Sequence, residues 1–214
     1  MCGIEKWYNS GMENSALMLL PSIEEAHALL LEAERMNPGE WASHSLFVAR
    51  AAASIAAAVP GMDADAAYTL GVLHDIGRRA GVMDMLHVLT GYRYLMALGY
   101  PAAARICLTH CFPLQDIRSV GSNWDGTPEE LDFVAAYIEP LVYDAYDRLI
   151  QLCDALALPD GFCLIEQRFV DVALRRGVND LTLDRWRATF QIQRSFEAQA
   201  GTSIYHLLPG FNHC

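Results

Sequence analysis

Five side chains stand where a core residue is expected on an apolar helix: His44 in WASHSLFVAR, His74 and Asp75 in LGVLHDIGRR, His110 in RICLTHCF, and Asp154 in LIQLCDALAL. A lone histidine in such a setting is ordinarily a hydrogen-bonded core residue. The aspartates are harder to dismiss, because burying an unpaired carboxylate costs several kcal/mol or more. Asp154 is surrounded by leucine, cysteine and alanine, and the other acid on its helix, Asp147, lies two turns earlier. Two acids and several imidazoles inside apolar helices need a mutual partner, and a divalent metal satisfies all of them at once. Neighbours on a helix point about 100° apart, so His74 and Asp75 can both lean toward one ion from a single turn. With His44 supplied by the preceding helix and Asp154 by a later one, the donors are mixed nitrogen and oxygen. That set suits iron, manganese, cobalt, nickel or zinc.

Helices must position these residues. Apolar residues recur at helical spacing almost throughout, while alternating strand patterns and hairpin signals are nearly absent, so the fold class is all-α. A first helix reads from about Ser22 to Met36 and is broken by Asn37-Pro38-Gly39; a second runs from Glu40 to Val59 and stops at Pro60-Gly61. Asp63 begins a third, which carries Leu70, Leu73 and His74 and ends at Gly77 in the position of a C-terminal cap. Further helices cover Asp84 to Leu98 and Ala102 to Phe112. After the loop from Gly121 to Pro128, Thr127 is an N-cap with Pro128 at the first helical position, and that helix closes near Pro140. Asp144 to Leu158, Phe162 to Arg176 and Thr182 to Ala200 complete the set.

The composition narrows the function classes. A chain of 214 residues, 53% hydrophobic and 19% charged, is that of a folded protein, and its length fits one domain over residues 1–214. No apolar run reaches the roughly 18 residues of a bilayer span. The run Ala16 to Leu20 is too short for a signal segment, stops at Pro21 and follows Glu13, so a cytoplasmic location without membrane attachment is expected. The net charge of −11 argues against a nucleic-acid partner. A small phosphorylated ligand remains open, and with one lysine, Lys6, against fourteen arginines it would be gripped by guanidinium forks, backbone amides or metal. The six cysteines, Cys2, Cys107, Cys111, Cys153, Cys163 and Cys214, form no CxxC pair and read as buried reduced thiols. Cys107 and Cys111 share a helical face, but two thiols alone make a weak zinc site.

A histidine on one helix, His-Asp on the next and a distant aspartate on a later one resemble the HD-domain superfamily of metal-dependent phosphohydrolases, and HDIGR at 74–78 is similar to its HDIG form. The resemblance covers roughly Glu40 to Leu158. It implies an HD-domain helical bundle with additional C-terminal helices, about residues 160–214, packed on it. By that resemblance His44, His74, Asp75 and Asp154 are metal ligands. In the binuclear branches, which include small bacterial hydrolases that split dinucleoside tetraphosphates, two histidines between the HD pair and the final aspartate hold a second metal; His87 and His110 occupy those places in order. The cyclic-dinucleotide phosphodiesterase branch is a poorer match, since its GYP signature and paired histidines are missing.

What the resemblance implies is hydrolysis of a small phosphate ester or anhydride, above all a nucleotide, by water activated on one or two divalent ions bridged by Asp75. Asp75 and Arg78 are the candidate catalytic residues, and Arg78, Arg79 and Arg93 the candidate phosphate ligands. Two rivals are a binuclear-iron oxygenase of the same superfamily and a non-catalytic metal- or nucleotide-binding module. In the module, the helices from Phe162 to Ala200 would engage a partner through Ile165, Phe169, Val172 and Leu174, which otherwise face the bundle. Homo-oligomerisation is left open.

Overall fold

The helices begin where the sequence supplies caps. In the computed structural model, which describes residues 19–120 and 122–211, Ser22 opens α1 (Ile23–Met36) with a reciprocal capping box to Glu25. Asp63 caps α3 (Ala64–Leu73), Thr127 and Glu130 box the start of α6 (Pro128–Ile138), and Asp144 and Asp147 do the same for α7 (Ala145–Asp154). Each cap satisfies backbone donors that a helix start leaves unpaired, worth roughly 1 kcal/mol. With α2 (Glu40–Ala58), α4 (His87–Ala97), α5 (Pro101–Thr109), α8 (Ile165–Arg176), α9 (Thr182–Ala200) and α10 (Ile204–Leu207), the described residues form ten α-helices. A two-residue antiparallel hairpin, Ala157–Leu158 against Gly161–Phe162, interrupts the expected run of helix on either side of Pro159-Asp160. Cys2, His213, Cys214 and Gly121 lie outside the described residues, as does most of Ala16 to Leu20.

The core gathers around α2. Its small buried residues, Ala42, Ala49, Ala51, Ala52 and Ala56, let α3 approach so closely that a Cβ added at Gly71 would lie 2.5 Å from the Ala49 Cα. Such contacts leave no void and no freedom to slide. α7 packs on α2 and α3, α4 on α5, and α9 on α7. Ile165 and Phe169 of α8 are buried, Phe169 stacking on Trp186 of α9 with ring centroids 5.0 Å apart, whereas Leu174 is exposed. The C-terminal helices are therefore packed on the bundle, and Ile204 and Leu208 of the tail are buried with them. No helix among the described residues is long and apolar enough to cross a membrane.

Two local findings bear on the site. The third helix does not continue to Gly77: it ends at Leu73, and a 3₁₀ turn, Ile76–Ala80, follows Asp75. Gly77 has no positive φ and is no cap; Gly81 closes the turn with φ 135°. The second finding is Asp147, fully buried and held by the Arg105 guanidinium, by Thr109 Oγ1 at 2.8 Å and by the Asp144 amide at 2.9 Å. It staples α7 to α5 and so sets the distance between Asp154 and His110. Asp147→Ala is expected to lower stability by about 3 kcal/mol, since removing one partner of a buried pair strands the other. Denaturant unfolding reads it; a loss under about 1 kcal/mol would refute the staple.

Candidate metal centre

Five of the six histidines and aspartates singled out sit at the ends of helices. His74 is the residue after α3, Asp75 precedes the 3₁₀ turn, His87 is the first residue of α4, His110 follows α5, and Asp154 is the last residue of α7. His44 alone lies inside a helix, α2. The C-terminal ends of α3, α5 and α7 thus converge, and each carries the partial negative charge of its unpaired carbonyls. Together with two carboxylates they favour a cation.

The side chains form two adjoining clusters. In the first, His44, His74 and Asp154 come together, with His44 Nε2 donating to Asp154 Oδ1 at 2.9 Å. In the second, His87 Nε2 lies 3.4 Å from His110 Nε2, and Cys111 Sγ lies 3.1 Å from His110 Nε2 and 3.8 Å from His87 Nε2. Asp75 stands between them: Oδ1 is 3.1 Å from His87 Nε2 and 3.5 Å from His110 Nε2, while Oδ2 is 3.9 Å from His74 Nε2. Three rings are aimed by backbone carbonyls on Nδ1: Gly71 for His74 (2.8 Å), Asp84 for His87 and Cys107 for His110 (3.0 Å). Holding Nδ1 this way presents Nε2 as the donor atom. The loop before α6 contributes as well, because Asp125 accepts from the amides of Asp84 and Leu86 and so fixes the start of α4 under His87.

Protonation suits the same purpose at His74, Asp75 and Asp154, whereas at His87 and His110 burial is outweighed by the neighbouring charges of Asp75 and Cys111, which raise both, so an ion there displaces protons. Burial pushes His74 down to about 4, so its imidazole is neutral near pH 7. Burial opposes ionisation of Asp75, but Arg78, His87 and His74 outweigh it and hold the carboxyl well below the usual carboxylate range. Asp154 is likewise held low, burial being outweighed by the hydrogen bond and charge of His44. Burial works against a Cys111 thiolate, yet His110 and His87 overcome it and bring the thiol down to about 7, whereas burial pushes Cys107, fully buried, well above its ordinary value.

Three buried polar atoms of this group have no hydrogen-bond partner: His44 Nδ1, His74 Nε2 and Asp75 Oδ1. Orphaned buried polar atoms cost about 1–3 kcal/mol each, and His74 and Asp75 stand close enough together, with His110, to share one ion. A divalent ion satisfies His74 and Asp75 together, so the residues fit a metal.

A family model for the HD domain matches residues 41–158, more than half of the chain. The chain belongs to the HD-domain family. Comparison with curated proteins and with solved structures gave no match. HD domains form a superfamily of metal-dependent phosphohydrolases, and the matched span takes in all six histidines and aspartates described above.

What lies beyond the HD match completes a cavity of about 210 Å³ over the clusters. Its lining includes His87, His110, Cys111 and Asp154 from the centre and five arginines: Arg78 and, from α8 and α9, Arg168, Arg175, Arg176 and Arg185. Arg78 donates to Asp75 Oδ2 at 2.7 Å. Arg175 and Arg176 pair with Asp171 and Asp84. Arg185 is half-buried, with Cys111 and Asp154 as its acidic neighbours. The other two expected phosphate ligands lie elsewhere. Arg79 pairs with Glu32 at 3.1 Å and stacks over Tyr94, and Arg93 pairs with Glu130 on the surface; neither lines the cavity, because the 3₁₀ turn sends Arg79 toward α1 and the register of α4 turns Arg93 outward. Arg93→Ala should therefore change KM less than about twofold, as for an exposed ion pair; a tenfold rise in steady-state kinetics would put Arg93 back at the substrate.

The four arginines of α8 and α9 that line the cavity were not among the expected site residues. The signal was present: residues 168, 175 and 176 recur at i, i+7 and i+8, one face of a helix, in a chain nearly devoid of lysine.

Proposed function

We propose that this HD-domain protein hydrolyses a small phosphate ester or anhydride, with a nucleotide as the leading substrate class. The observation that carries the reading is a single cavity joining a buried histidine and aspartate cluster to a wall of guanidinium groups. Ions held by His44, His74, Asp75 and Asp154, and by His87 and His110, would supply Lewis acidity and a water ionised near neutral pH. The chain's own residues do the rest. Arg78 keeps Asp75 ionised and fixes its orientation, so that both carboxylate oxygens stay aimed at the imidazoles. Arg185 and Arg168 bring positive charge to the mouth, where a planar fork grips phosphoryl oxygens and stabilises the charge that builds on them. A guanidinium wall also favours a phosphate or phosphonate ligand over a neutral polyol, which sets this reading above an oxygenase acting on a polyol.

The test is phosphate release from a panel of nucleotides and phosphate monoesters, with the protein loaded in turn with manganese, cobalt, iron and zinc. The expected result is release that needs metal and is abolished by chelation, with Arg185→Ala raising KM about 10- to 100-fold, the worth of one charged hydrogen bond. Oxygen uptake with a polyol or phosphonate and no phosphate release would overturn it in favour of the oxygenase. Micromolar nucleotide binding without product in any metal would leave a binding module.

A further inference from the structure

Cys111 is the one member of the second cluster that is neither histidine nor aspartate. α5 ends at Thr109, so the chain has left the helix by Cys111, and the two thiols that share a helical face in the sequence part company. Cys107 Sγ donates to the Leu73 carbonyl at 3.4 Å and packs against Gly91. Cys111 Sγ instead turns to His110 and His87, and its side chain borders the cavity.

The three donor atoms have the separations of a coordination face. Zinc-like bonds of about 2.0–2.1 Å to nitrogen and 2.3 Å to sulfur, at tetrahedral angles, place two nitrogens about 3.3 Å apart and nitrogen and sulfur about 3.6 Å apart. The observed distances are 3.4 Å between the two nitrogens and 3.1 and 3.8 Å from them to sulfur. Both imidazoles are already oriented by Nδ1 contacts to backbone carbonyls, and Asp75 Oδ1 stands 3.1 and 3.5 Å from the same two nitrogens.

Resting on the metal-centre reading above, we propose that Cys111 is a thiolate ligand of the second ion, making the His87–His110–Cys111 site selective for zinc, cobalt or iron over magnesium and manganese. Binding releases the thiol proton to solvent, and the metal–sulfur bond forms in its place. A soft sulfur donor prefers those metals to hard cations that seek oxygen. The two sites then differ in kind: the His44–His74–Asp154 site has only nitrogen and oxygen donors, and the thiolate site adds charge donation beside it.

Cobalt titration of metal-free protein, followed by absorption, tests this. The expected result is uptake of two equivalents, one of which brings a sulfur-to-cobalt charge-transfer band in the near ultraviolet. Cys111→Ser should remove the band and weaken that equivalent at least about 100-fold, since even indirect partners of a ligand cost 10–100-fold; Cys107→Ser should keep both. X-ray absorption of the zinc-loaded wild-type protein should show a sulfur neighbour at about 2.3 Å, a readout that does not depend on the variant folding. Two equivalents bound without band or sulfur neighbour would overturn the proposal and leave the hydrolase reading standing. No binding at all would overturn both.

Discussion

Asp75→Ala is expected to abolish metal retention and hydrolysis together, with kcat/KM falling about 10³-fold or more, a loss of roughly 4 kcal/mol of transition-state stabilisation. The reasoning is positional. Asp75 lies between the two clusters, with Oδ1 toward His87 and His110 and Oδ2 toward His74 and Arg78. Without it neither cluster has a bridging anion, and the charge that keeps Arg78 over the site is gone. His87, which Asp75 raises against the effect of burial, then loses its reason to hold a proton. Asp75→Asn keeps the volume and removes only the charge, so it separates packing from electrostatics. Elemental analysis reads the metal and thermal unfolding the fold. Chelated wild type and Asp75→Asn should melt at similar temperatures, because a ligand that binds only the native state stabilises it by mass action. A variant that keeps its metal and its activity would sink the proposed role.

The outline of this centre was legible before any geometry because its residues break an apolar pattern. His44, His74, Asp75, His110 and Asp154 interrupt helical faces that otherwise carry alanine, leucine and cysteine, and a buried carboxylate announces a missing partner. The all-α class followed from the same periodicity. What stayed hidden depends on how helices end and on what packs over them. The tightening of the chain after Leu73 into a 3₁₀ turn moved Gly77 from the expected cap to an interior contact, and it sent Arg79 to Glu32. The end of α5 at Thr109 turned Cys111 away from Cys107. Asp147 reads as an ordinary first-turn acid; only the packing of α5 shows that Arg105 and Thr109 converge on it. Arg168 and Arg185 reach the centre because α8 and α9 fold back over it, which local sequence does not encode.

Gly77→Ala is expected to be the most damaging glycine-to-alanine change among the described residues. A Cβ at Gly77 would overlap the His87 carbonyl oxygen and come within 2.5 Å of the Gly91 amide nitrogen, and Gly91 in turn sits against the Cys107 sulfur. These neighbours are backbone, so no side-chain rotation relieves the clash. The start of α4 must move, and α4 carries His87. Overpacking a core against side chains costs about 1–3 kcal/mol, and against backbone the upper end or beyond applies. The displacement also reaches the chemistry, since a shift of even about 1 Å in His87 spoils a coordination geometry. Loss of about 3 kcal/mol or more in denaturant unfolding is expected, together with loss of the second metal equivalent while His44, His74 and Asp154, on other elements, keep the first. Gly81→Ala is the comparison: its Cβ meets nothing within 4 Å, so its cost is conformational strain at positive φ alone, about 1–3 kcal/mol, with both ions retained. If Gly77→Ala were as mild as that, α4 would not be seated on the turn that follows Asp75, and the tie between this glycine and the neighbouring metal cluster would fall.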